Sequence, residues 1–151
     1  MSFGAYVCLQ IACPNRHTIV VPRQTPFEIF RDQPHPPTGR LKAVFLCTVC
    51  GEQFPCTPQD FRPYRSEQRD QDRPHPALWR IAGECVVEHC GKLKPIFFGY
   101  DASGKEGVVR RHVLGLVGKM ECVHGHWQDV DESVFGISYL ISVIPIARQG
   151  N

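Results

Sequence analysis

Eight cysteines and seven histidines stand in a chain of 151 residues, and most of them fall into four short groups. Cys8, Cys13 and His17 form the first, and Cys47, Cys50 and Cys56 the second. Cys85, His89 and Cys90 form the third, and Cys122, His124 and His126 the fourth. Thiols and imidazoles a few residues apart can face one ion, so this clustering points to metal. A disulfide scaffold would also use an even number of cysteines. Met1 to His17 does not read as a signal peptide, since no basic residue precedes an apolar run. The expectation is therefore a cytoplasmic chain with reduced thiols.

The strongest single signal is Cys47-Thr-Val-Cys50-Gly51. Two intervening residues let both sulfurs face one ion, and the glycine permits the tight turn behind them. Its partner knuckle has two readings. Cys13 with His17 gives C-x3-H, whereas Cys8 with Cys13 gives C-x4-C; Cys13 with His17 is preferred. In the second half, Cys85 and Cys90 make one knuckle and Cys122 with His126 the other, with His124 as the alternative to His126. Cys8 and Cys56 are read as small apolar core residues. His35, His75 and His112 are read as ordinary polar histidines, and His89 as pointing away from the metal. The expected ligands are thus Cys13, His17, Cys47 and Cys50 for one ion, and Cys85, Cys90, Cys122 and His126 for a second.

Two Cys3His sets favour zinc over iron. The four knuckles and their flanking strands resemble the zinc-ribbon class of small β modules. That resemblance implies two structural zinc ions per chain, each held between β-hairpins. It covers the knuckles and their flanks alone, and the mixed spacings depart from any named zinc-ribbon family.

The halves look alike. YVCLQIACPNRHTIVVP lies on GECVVEHCGKLKPIFFG, with Cys8 on Cys85 and Cys13 on Cys90. LKAVFLCTVCGEQF lies more loosely on LGLVGKMECVHGHW. The reading is an internal repeat, with modules at 1–60 and 77–151 and a connection at 61–76. The stretch Asp60 to Pro76 holds four arginines, four acidic residues and three prolines, a solvated composition.

The fold class is mainly β, because 13 Gly and 13 Pro suit short strands better than long helices. Strands are expected at Phe3–Ala12, Thr18–Val21, Leu41–Leu46, Leu78–Ala82, Pro95–Tyr100, Val108–Met120 and Val134–Ile144. Leu114, Leu116 and Val117 would also fit a helix, which Gly115 and Gly118 weaken. Short helical turns are expected at Pro26–Arg31 after Thr25, and at Pro58–Arg62 after Thr57. Residues 101–107, DASGKEG, read as a hairpin loop. Val134 to Ala147 is the longest apolar stretch and falls short of the ~20 residues of a spanning helix.

Two closed four-ligand sites leave no coordination position for a substrate. No nucleotide-binding glycine loop, G-x-S-x-G or H-E-x-x-H is present, so the reading leans away from an enzyme. Six bound thiolates and two Zn²⁺ would take the formal charge from +2 to zero. Nucleic-acid binding usually needs a basic face, and no dense basic run exists. Arg110-Arg111-His112 and Lys92-Leu-Lys94, with Phe97, Phe98 and Tyr100 nearby, are the local candidates for it. A protein partner is therefore expected ahead of nucleic acid. The apolar segment Val134 to Ile146 is read first as a core strand and second as an edge open to a partner.

Overall fold

The computed structural model describes residues 8–31, 41–64, 76–85, 87, 91–101, 105–129 and 135–142. The fold is mainly β. β1 (Cys8–Ala12) and β2 (Thr18–Pro22) form an antiparallel hairpin. A short helix, α1 (Thr25–Phe30), follows. β3 (Ala43–Leu46) and β4 (Gln53–Cys56) form the next hairpin. A single 3-10 turn at Pro58–Asp60 leads into β5 (Arg62–Pro63), which pairs with β1. The second half contributes β6 (Pro76–Gly83), β7 (Ile96–Asp101), α2 (Glu106–Val117), β8 (Lys119–Glu121), β9 (Trp127–Asp129) and β10 (Phe135–Ser142).

Among the described residues the strands form three sheets. β2-β1-β5 is the first, and β8-β9 is a separate hairpin. The central sheet runs β10-β6-β7-β3-β4 and draws strands from both halves of the chain. Its seam is the parallel pairing of β3 with β7, Val44 opposite Ile96 and Phe45 opposite Phe97. The apolar segment near the chain's end supplies β10, at one border of this sheet.

Both faces of the central sheet are covered, so its inner strands are apolar at consecutive positions rather than alternating with polar residues. Phe45 and Leu46 are adjacent in sequence and both fully buried, yet they enter different cores. On one face Ala43, Phe45, Leu78 and Phe97 meet Ile11, Ile19 and Val21 of the first sheet and Ile29 and Phe30 of α1. On the other, Leu46, Trp79, Ile81, Ile96 and Phe98 meet Val109, Val113 and Val117 of α2, with Met120 and Cys122 beyond it. Gly99 marks a close approach of the layers: a Cβ there would lie 3.0 Å from the carbonyl oxygen of Val20.

Several expectations are met. β1, β2, β3, β6, β7 and β10 lie within or overlap the expected strands, although Phe3 to Val7 lie outside the described residues. A turn follows Thr57 but is shorter than the expected Pro58–Arg62: it is a 3-10 turn of Pro58–Asp60, and Arg62 belongs to β5. The Asp60 carboxylate accepts from the Thr57 backbone N–H at 2.7 Å and from its hydroxyl at 3.3 Å. At α1 the helical turn forms, but its N-cap is Gln24 and Thr25 makes no capping hydrogen bond. Thr25 is instead a buried residue of the helix itself.

Other expectations are corrected. Val108 to Met120 is not a strand: α2 occupies most of it and β8 begins only at Lys119. Val109, Val113 and Val117 recur every fourth residue and are the ones buried, which is a helix face. Burial of that stripe outweighs the low helix propensity of valine and glycine. Gly118 is the residue at which the helix stops, with φ 66°. Of the segment read as a hairpin loop, Asp101 ends β7 and Glu106–Gly107 begin α2, so a helix and not a strand follows; residues 102–104 lie outside the described residues. Arg62–Pro63, expected in the solvated connection, pairs with β1, and Phe61 beside it is buried. β4 was not expected at all. No helix among the described residues is long and apolar enough to cross a membrane.

Candidate metal centres

The element order strand, strand, helix, strand, strand occurs in each half, followed by β5 in the first and β10 in the second. Three knuckles lie wholly within the described residues, between β1 and β2, β3 and β4, and β8 and β9. Each of these three is closed by backbone hydrogen bonds. At Cys13–His17, the Cys13 N–H donates to the His17 carbonyl (3.1 Å) and Arg16 N–H donates to the Cys13 carbonyl (2.8 Å). At Cys122–His126 the same two bonds recur, Cys122 to His126 and Gly125 to Cys122, both 3.0 Å. The residue before each histidine has positive φ, 67° at Arg16 and 88° at Gly125. The turn thus demands the left-handed region, which glycine enters freely and arginine at a cost. The knuckle between β3 and β4 closes with the Gly51 N–H on the Cys47 carbonyl (2.8 Å).

These turns bring four donors together in the first centre: Cys13, His17, Cys47 and Cys50, whose ligand atoms all lie within 4.8 Å of one another. The Cys13 and Cys50 sulfurs are 3.8 Å apart, and Cys13 Sγ is 3.3 Å from His17 Nδ1. A tetrahedral zinc with bonds of ~2.3 Å to sulfur and ~2.05 Å to nitrogen has S···S edges of about 3.8 Å and S···N edges of about 3.6 Å. The donor set and its spacing fit that ion.

The second centre gathers Cys85, Cys122 and His126, also within 4.8 Å. His126 Nδ1 stands 3.2 Å from Cys122 Sγ and 3.8 Å from Cys85 Sγ. Cys90 and His89, both singled out from the sequence, lie outside the described residues. His124 is not among the three grouped side chains; its backbone N–H donates to Cys122 Sγ at 3.3 Å. Backbone N–H groups aim at sulfur in both centres, His17 to Cys13 at 3.4 Å and His126 to Cys122 at 3.3 Å. Two side-chain amides do the same, Asn15 to Cys50 at 3.4 Å and Gln128 to Cys85 at 3.2 Å. Neither amide was expected from the sequence; each sits two residues from a knuckle ligand, at Asn15 inside the turn and at Gln128 just beyond it. Such donors stabilise thiolate charge and orient it.

Protonation follows the surroundings. The Asn15 amide and the Glu52 backbone N–H bring the exposed Cys50 thiol down to about 6. Burial pushes its neighbour Cys47 up. Hydrogen bonds to Cys85 and Cys122 raise His126. Cys50 is thus the thiol most readily ionised, whereas Cys47 and His126 hold protons more tightly, and a dication binding to them would displace those protons.

The remaining thiols sit apart. Cys8 begins β1 opposite Pro22, whereas Cys85 lies beyond the end of β6, so the expected overlay of the two does not hold in the fold. The knuckle cysteine that follows β1, as Cys85 follows β6, is Cys13. Cys8 and Cys56 are both buried. Burial, with the Asp60 charge adding, pushes the Cys56 thiol up to about 12 from 9.0. Below pH 9 the folded and unfolded chains both keep this proton. Between 9 and 12 only the unfolded chain loses it, so stability falls as pH rises through that window. Melting temperatures from pH 8 to 11 should therefore drop less steeply in Cys56→Ala than in the wild type. Parallel curves would sink this account.

No disulfide joins the cysteines among the described residues. No family model, curated protein or solved structure matches this chain.

Proposed function

We propose that the chain is a non-catalytic zinc-binding protein, with two structural zinc ions in a duplicated, zinc-ribbon-like arrangement, and that it serves as a protein-interaction module. The observation that carries this reading is the convergence of Cys13, His17, Cys47 and Cys50 on one point from two knuckles. Four protein donors close a tetrahedron and leave no position for water or substrate. In the second centre Cys85, Cys122 and His126 supply three donors, and Cys90 is the fourth in this reading. The recurring element order and the matching C-x3-H turns support a duplication. The knuckle type is exchanged between halves: C-x3-H comes first in one and last in the other.

The interaction role rests on what the knuckles display. Val49 sits between Cys47 and Cys50 and is 67% exposed; Val123 follows Cys122 at 56% and Trp127 follows His126 at 60%. Apolar side chains held out on rigid turns are suited to a protein partner. A nucleic-acid role has one observation in its favour. Lys105, Arg111 and His112 are exposed on or beside α2, and the Tyr100 hydroxyl lies 2.9 Å from His112 Nδ1.

The test is native mass spectrometry with elemental analysis of chain purified without added metal. Two zinc per chain, lost together with the far-ultraviolet signal on addition of a strong chelator, is the expected result. One ion, or none, would sink the duplicated structural reading. A salt-sensitive gel shift with mixed-sequence RNA or DNA would move the role from protein to nucleic acid.

A further inference from the structure

The two centres belong to different halves of the sequence, yet one side chain joins their supports. Gln53 follows Cys50 by three residues, and Lys119 precedes Cys122 by three. The Gln53 amide nitrogen donates to the Val117 carbonyl at 3.0 Å and to the Lys119 carbonyl at 2.9 Å. Val117 ends α2, so its carbonyl lacks a partner within the helix, and Lys119 opens β8. Beside this clamp the knuckle glycine packs on the same helix end. A Cβ on Gly51 would lie 3.3 Å from Leu116 Cδ2 and 3.5 Å from the Leu116 carbonyl oxygen. From Lys119 the path to the second centre is short and rigid. β8 is pinned to β9, with Glu121 opposite Trp127, and Cys122 bridges to Leu93. Lys94 holds the neighbouring Glu121 twice, through its backbone N–H to the Glu121 carbonyl and through its ammonium at 2.8 Å from the carboxylate.

We propose that Gln53 is a positioning residue that couples the two metal centres, so that an ion in Cys13/His17/Cys47/Cys50 raises the affinity of the Cys85/Cys122/His126 centre for its own ion. This rests on the reading of both clusters as metal sites. An ion at the first centre fixes the 47–50 turn and with it the start of β4. Gln53 is then held where both its N–H groups meet α2's end and the first residue of β8. The second knuckle inherits a fixed starting point, and less ordering remains for its own ion to impose. Coupling is reciprocal, so an ion in the second centre must raise the affinity of the first by the same factor. Two neutral hydrogen bonds of ordinary strength set Gln53's share of that factor at about tenfold.

The experiment is stepwise titration of the full-length apo chain with Co²⁺, followed through the thiolate charge-transfer and visible bands of the tetrahedral ion. The wild type should take up two ions cooperatively. Gln53→Ala should still bind two, with an interaction factor about tenfold smaller. Gln53→Lys should restore it, because an ammonium can donate to the same carbonyls at a helix C-terminus. A factor unchanged in Gln53→Ala would overturn the proposal. So would both affinities falling in parallel, which marks a merely structural residue, or a wild type whose sites fill independently. Absence of the cobalt bands from the wild type is a separate readout: it would overturn the metal reading itself and the coupling with it.

Discussion

On the proposed zinc reading, replacing Cys47 by serine should remove one zinc ion from the chain and unfold the layer that surrounds it. Cys47 is fully buried and belongs at once to the first candidate metal centre and to the core that β3 shares with the first sheet and α1. A structural zinc contributes on the order of 10–16 kcal/mol to folding. Whole domains are stable by only about 5–15 kcal/mol. Loss of the ion is therefore enough to remove the net stability of the elements that depend on it. Serine cannot replace the ligand, since a neutral hydroxyl is a poor partner for zinc beside two thiolates and an imidazole. Elemental analysis should read one zinc in Cys47→Ser, and circular dichroism should show lost strand signal at 37 °C. Cys8→Ala, whose thiol lies outside the cluster, should keep two ions. Two zinc in Cys47→Ser would show that the cluster does not hold metal through this residue.

Phe98→Ala should cost about 3–5 kcal/mol without touching either centre. Phe98 lies at the middle of β7, fully buried on the face covered by α2. Its ring stacks on Trp79 with centroids 6.3 Å apart and meets the edge of Tyr100 at 6.4 Å. Truncation leaves a cavity between two inner strands and a helix, where neither layer can move without disturbing the β3–β7 seam. Urea denaturation of zinc-loaded protein should give a lower midpoint with an unchanged slope. Val108→Ala, on the exposed side of α2, should stay within about 0.5 kcal/mol of the wild type. Equal effects at both positions would mean that α2 does not cover this face.

What could be read from the sequence was what depends on neighbours along the chain. The Cys13/His17 and Cys47/Cys50 knuckles were legible because ligand spacing and turn residues are local properties. The strands that enter both cores were legible as apolar, β-branched runs. α2 was misread because its residues favour strand by propensity and only burial against Phe98 and its neighbours selects the helix. β4 was missed because Gln53–Cys56 is short, contains Pro55, and has no signal of its own until β3 lies beside it. The pairing of β3 with β7 joins residues about fifty apart, and nothing in either segment names the other. Gln53 and Gln128 carry no motif; their roles exist only once α2 and the second knuckle are in place.

The burial of adjacent residues on opposite faces of β3 restricts how this gene segment can change in length. Swapping one aliphatic side chain for another there leaves the pattern intact. Adding or removing a single codon between Ala43 and Leu46 would turn every following side chain of the strand to the other face. Phe45 and Leu46 would exchange cores, and the Cys47 sulfur would point away from Cys13 and His17. Point substitution and single-codon insertion at this strand therefore differ in kind, and sequence drift should keep the strand's length while its aliphatic residues vary.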